Sequence, residues 1–169
     1  MKKTHWLMLI VAASAATIDQ IAKQVVVVNL PLGGRWSPLP GPDPFFQIIH
    51  AYNTGAAFGL FKDFNTVFII IALVVMAAIL IYARRLRADQ RLMGLALGLM
   101  LGGSLGNLID RLRFGYVIDY FDVGVGALRN ASNFADWSIV LGVILLALAM
   151  LRDERQSRPN TSAANDVNA

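Results

Sequence analysis

The run F-A-D-W-S-I-V-L-G-V-I-L-L-A-L-A-M-L, from Phe134 to Leu151, decides the fold. After Asp136 it carries no charge until Arg152. Its length approaches the roughly 20 apolar residues an α-helix needs to cross a bilayer. A helix written for lipid, with a carboxylate in its opening turn, raises two questions. What else crosses the membrane, and what is the carboxylate for?

Three further blocks have the same character. Residues 64–83 and 92–110 are nearly free of charge, and 6–28 is apolar apart from Asp19 and Lys23. The chain is 56% hydrophobic and only 15% charged, against about 25% charged in a soluble domain. The expected architecture is a single integral membrane domain, mainly α, with four transmembrane helices over 6–28, 64–83, 92–110 and 134–151. The net charge of +4 does not point to nucleic acid, because the basic residues flank the apolar blocks. Lys2-Lys3, Arg84-Arg85-Leu86-Arg87 with Arg91, and Arg152, Arg155 and Arg158 form the clusters that keep loops cytoplasmic. Both termini are therefore expected on the cytoplasmic side. The start of the chain has a rival reading: Lys2-Lys3, L-M-L-I-V and then Ala13-Ser14-Ala15 resemble a cleavable secretory signal. The apolar run continues past that point through V-V-V-V, which favours a retained helix. With no cysteine and only His5 and His50, far apart, no metal site and no thiol chemistry are expected.

Two outward segments, 29–63 and 111–133, are the unusual parts. The first has Pro31, the Pro-rich P-L-P-G-P-D-P at Pro38–Pro44, then F-F-Q-I-I-H-A-Y and the turn signal N-T-G. The second includes Y-V-I-D-Y-F-D-V. Both read as strands on the membrane surface, while the polar tail over 156–169 reads as disordered. In the third helix Gly94, Gly98, Gly102 and Gly106 step by four, a smooth groove for a neighbouring helix. Gly103, Asn107 and Arg111 form a second stripe that turns polar toward the outer end.

Polar groups near lipid need a partner or a task. Asp19 and Lys23 stand i, i+4 on one face and can neutralise each other. Asn133 followed three residues later by Asp136 resembles a capping box, so Asp136 has a structural explanation. Asp119 alone reads as a loop carboxylate. Together Asp119 and Asp136 suggest more, since the link between helices three and four brings both to the outer membrane surface. Two carboxylates in one site cannot both ionise cheaply, so the pair holds a proton and can serve as base and acid together. Asp122 competes with Asp119 but lies on the opposite face of an alternating strand. A serine nucleophile fares worse, because Ser104 and Ser138 have no base near them in sequence.

Five motifs in order then match a family. They are D-Q-I-A-K at Asp19–Lys23, Y-N-T-G-A-A-F at Tyr52–Phe58, G-G-S-L-G-N-L-I-D-R at Gly102–Arg111, V-I-D-Y-F at Val117–Phe121 and N-F-A-D at Asn133–Asp136. The chain resembles the lipoprotein signal peptidases (signal peptidase II) over nearly its whole length. The resemblance implies a four-helix membrane fold with a small β-cradle and a short amphipathic helix at the outer face. It implies an aspartyl endopeptidase of the bacterial inner membrane that cuts lipid-modified prolipoproteins just before the diacylglyceryl cysteine, without a cofactor. By position the catalytic pair is Asp119 and Asp136. Asp19, Lys23, Asn53, Gly103, Asn107, Arg111 and Asn133 match supporting or substrate-binding positions. The expected partners are signal peptides and membrane lipid, with no nucleic acid, and the expected state is a monomer. The competing reading is a small proton-coupled transporter with Asp19 as its intramembrane carboxylate.

Overall fold

The computed structural model describes residues 3–38, 41, 44–55, 64–126 and 128–157. Part of the Pro-rich run, the A-A-F of the second motif and the tail from residue 158 lie outside them. The chain order is α1 (Lys3–Asn29), β1 (Arg35–Trp36), β2 (Phe46–Asn53), α2 (Asn65–Ala83), α3 (Arg91–Phe114), β3 (Val117–Val123), β4 (Asn130–Ser132) and α4 (Phe134–Ser157). All four helices are long and apolar enough to cross a membrane. The short amphipathic helix is not among the described elements, and residues 56–63 of its segment are not described.

Two helices outrun their expected ends. α3 continues past residue 110 to Phe114, where Gly115 at φ 80 closes it and donates its N–H to the Arg111 carbonyl at 3.1 Å. A left-handed glycine is a common helix stop. α4 runs to Ser157, so the tail does not begin at residue 156.

α3 is the most buried of the four helices and α2 the least. Its glycine stripe explains how α1 comes so close. A Cβ on Gly94 would stand 2.7 Å from the Thr4 methyl, and one on Gly98 would stand 2.7 Å from the Met8 carbonyl oxygen. At Gly102 it would strike the Ala12 carbonyl, and at Gly106 it would lie 2.6 Å from an Asp19 carboxylate oxygen. Gly98→Val is therefore expected to force α1 and α3 apart, at about 1–3 kcal/mol. A lower thermal unfolding midpoint in detergent checks this; an unchanged midpoint contradicts the packing.

The basic ends converge. Thr4 Oγ1 donates to the Ala88 carbonyl at 2.9 Å, and Gln90 donates to Asp153 at 2.6 Å. The start of α1, the α2–α3 link and the end of α4 thus meet at one end of the bundle. At the other end lies one antiparallel sheet in the order β1-β2-β3-β4. β2 carries a bulge between Ile48 and Ala51, so that Ile48 pairs with Phe121 but Ala51 with Asp119. One extra residue flips every later side chain of β2 to the other face. That shift puts Asn53, whose partner is Val117, on the face that carries Asp119.

Candidate active site

The start of α4 is where the elements meet. Helix N-termini expose amides with no partner inside the helix, and here each finds one. Phe134 N–H donates to the Tyr120 hydroxyl at 3.1 Å, Ala135 N–H to Asp19 Oδ1 at 3.0 Å and Asp136 N–H to Asn133 Oδ1 at 2.9 Å. Asn133 N–H donates back to Asp136 Oδ2 at 3.3 Å. The capping box is real, and it does not use up the carboxylate.

Asn133 also reaches β3: its side-chain NH2 donates to Asp119 Oδ1 at 2.8 Å. One fully buried asparagine therefore touches both carboxylates. Asn53 Nδ2 donates to Asp119 Oδ2 at 3.0 Å, and Asn107 Nδ2 to Asp136 Oδ1 at 2.7 Å. Counted over the two groups, each of the four carboxylate oxygens accepts one donor. The donors are themselves oriented. Gly55 N–H donates to Asn53 Oδ1 at 3.0 Å in an Asx turn, leaving the NH2 of Asn53 for Asp119. Lys23 Nζ donates to Asn107 Oδ1 at 3.1 Å, leaving the NH2 of Asn107 for Asp136.

Asp119 is 2% exposed, whereas Asp136 is only partly buried. Burial, and next the charge of Asp136, push the Asp119 carboxyl up to about 6, with the Asn53 and Asn133 bonds opposing. The folded state thus holds this proton more tightly than the unfolded chain. The stability this gives is complete below about pH 3.8 and is lost as pH rises through about 6. In the free protein the Asp119 carboxyl carbon is expected to titrate near pH 6 by NMR, and at a lower pH in Asp136→Asn. A midpoint near 4 in the unsubstituted protein contradicts this.

Both carboxylates line a cavity of about 500 Å³ with Asn53, Asn107 and Arg111 on its polar wall. Its apolar wall includes Trp137 and Val140, which also face outward from α4 at 56% and 59% exposure. The cavity is thus continuous with the lipid-facing side of the helix. Asp122 is elsewhere, its Oδ2 held by Arg129 Nε at 2.8 Å.

The remaining sequence candidates divide. Arg111 reaches the cavity, but its guanidinium is engaged, with Nη2 donating to the Gly55 carbonyl at 3.0 Å and the group stacked over Phe68 at 4.6 Å. Gly103 does not line it; a Cβ there would strike the Ala135 carbonyl, so this glycine admits the start of α4. Asp19 and Lys23 lie beneath the cavity, paired at 2.7 Å. Asp19 spends one oxygen on Lys23 and the other on the Ala135 amide, which suits a structural brace better than a transport carboxylate.

Sequence reasoning missed Asp110 and Gln20. Lys23 Nζ also meets Asp110 Oδ2 at 2.8 Å, and Gln20 Nε2 donates to Asp110 Oδ1 at 2.9 Å. The signal is in the spacing: Asp110 continues the four-residue step of Gly94, Gly98, Gly102 and Gly106, the stripe that faces α1 and, at Gly106, Asp19.

Comparison with known proteins gives a consistent result. The family model described as Signal peptidase (SPase) II matches residues 11–152. A lipoprotein signal peptidase of Geobacter metallireducens is 44% identical over 95% of this chain and its own full length. One from Moorella thermoacetica is 41% identical over 85% of this chain and 91% of its own. Two solved structures described as bacterial membrane enzymes align with TM-scores of 0.80 and 0.75, at 28% and 30% identity. They cover 90% and 86% of this chain, and 92% and 93% of their own.

Proposed function

The chain belongs to the signal peptidase II family, and from that premise we propose that it is an aspartyl endopeptidase cutting prolipoproteins immediately before a diacylglyceryl-modified cysteine. It is a multi-pass protein of the bacterial inner membrane that removes signal peptides.

The carrying observation is two carboxylates in one cavity, bridged by Asn133 and each held at both oxygens. Asp119, more deeply buried and with its carboxyl raised to about 6, holds the proton. Asp136 is the base. It takes a proton from water as the water oxygen bonds to the scissile carbonyl carbon, while Asp119 donates a hydrogen bond to the carbonyl oxygen. The tetrahedral intermediate collapses, the C–N bond breaks, and a dyad proton passes to the departing amine of the cysteine. Bound substrate shuts out water, so the alkaline limb of kcat lies above the free-protein value for Asp119.

The apolar wall of Trp137, Ile139 and Val140 suits a signal-peptide helix and acyl chains arriving through lipid. With the basic ends of the bundle cytoplasmic, both termini are inside and the dyad faces outward. Matched precursors, with and without the diacylglyceryl group, test this in detergent micelles. Cleavage of the lipidated form alone is expected. Equal cleavage of both overturns the assigned cut site, and cleavage of neither by folded protein overturns the function.

A further inference from the structure

The dyad's two carriers, β3 and the start of α4, share no covalent neighbour, yet the residue before each carboxylate is anchored in the same way. Ile118, before Asp119, donates its N–H to Asp110 Oδ2 at 3.1 Å. Ala135, before Asp136, donates its N–H to Asp19 Oδ1 at 3.0 Å. Both anchoring carboxylates meet one ammonium: Lys23 Nζ is 2.8 Å from Asp110 Oδ2 and 2.7 Å from Asp19 Oδ2. Its remaining donor goes to Asn107, which holds Asp136.

We propose that Asp110 is a positioning residue of the reaction: it holds the backbone amide before Asp119, Asp19 holds the one before Asp136, and Lys23 joins the two carboxylates, so that together they set the separation of the dyad. Asp110 does not touch the cavity, being 1% exposed and absent from its lining. Its other neighbours fit the role. Gln20 bonds both Asp110 and the Gly106 carbonyl, tying the cluster to α3. A base and an acid must meet one water and one carbonyl together, and displacement by about 1 Å can reduce rate about 100-fold. A brace made only for stability has no reason to seize those two amides. The inference rests on the dyad reading above, and it makes Asp110 a determinant of kcat rather than of substrate affinity.

Asp110→Asn keeps the shape but replaces the charged oxygen shared by Lys23 and the Ile118 amide with a neutral one, a weaker acceptor for both. The test measures kcat and KM on a diacylglyceryl-modified precursor, together with hydrogen exchange at the Ile118 and Ala135 amides by NMR. Expected are a kcat lower by about 10- to 100-fold, a nearly unchanged KM, and faster exchange at Ile118 with Ala135 still protected. Asp19→Asn gives the reciprocal pattern, with Ala135 released. An undiminished kcat in Asp110→Asn overturns the proposal, as does a lowered kcat with Ile118 still protected. If Asp110→Asn does not fold, exchange in the unsubstituted protein decides: protection of both amides supports the clamp, and solvent-rate exchange at Ile118 overturns it. Failure of the unsubstituted protein to cut any precursor overturns the peptidase reading instead, and leaves the amide measurement intact as a test of the clamp.

Discussion

Asp136→Asn is expected to reduce cleavage of a lipidated prolipoprotein by about 10³-fold or more, with precursor binding retained. The amide is nearly isosteric. Its oxygen can still accept from Asn107, and the Asn133 side chain can still cap α4 through the residue's own N–H. What disappears is the only group among the described residues on the α4 side of the cavity able to take a proton from water. Asp119→Asn is expected to fail as severely, because an amide there cannot supply the proton that the departing amine requires. Single-turnover rates, beside the affinity of the uncut precursor, separate lost chemistry from lost binding. Weak binding with the chemical step intact would contradict the assignment.

The second large effect is on folding. Lys23→Met keeps an unbranched apolar side chain but removes the ammonium between Asp19 and Asp110, which are 0% and 1% exposed. Removing one partner of a buried ion pair leaves an uncompensated charge, at about 3–5 kcal/mol. Here two carboxylates lose their shared cation. Asn107 loses the donor that fixes its amide, so the surviving folded fraction should also hold Asp136 less well. Unfolding in detergent should show a large drop in midpoint. Little change in stability would mean that the ion cluster is not the brace described.

Much of this was legible in the sequence, for physical reasons. A bilayer demands long apolar runs, so the four helices announce themselves and the Asp19–Lys23 pair follows from a single helical turn. The meeting of Asp119 and Asp136 in one cavity was legible because both carboxylates sit beside the boundaries of helices that must end at the same surface. The rest depends on tertiary choices that leave no local mark. The bulge in β2 decides which face Asn53 presents, and nothing in F-Q-I-I-H-A-Y-N states it. Gly103 and the Gly94–Gly106 stripe look alike in sequence, yet one admits α4 and the other α1. The sequence ends α3 too early, because charges at Asp110 and Arg111 resemble an exit from lipid. In the structure those charges are turned inward, onto Lys23 and the Gly55 carbonyl, and the helix runs on to Phe114.

Asp119 and Asp136 are proposed to act as one unit, sharing a proton and a water. A double-mutant cycle on single-turnover cleavage of the lipidated precursor tests it most directly, with Asp122→Asn as the control carboxylate. If the pair works as a unit, either single substitution already removes the catalysis, and the double variant Asp119→Asn/Asp136→Asn is no slower than the slower single. Asp122→Asn, whose carboxylate is held by Arg129 away from the cavity, stays near the unsubstituted rate. Losses that multiply in the double variant, or substantial cleavage by either single, would contradict the shared-proton dyad.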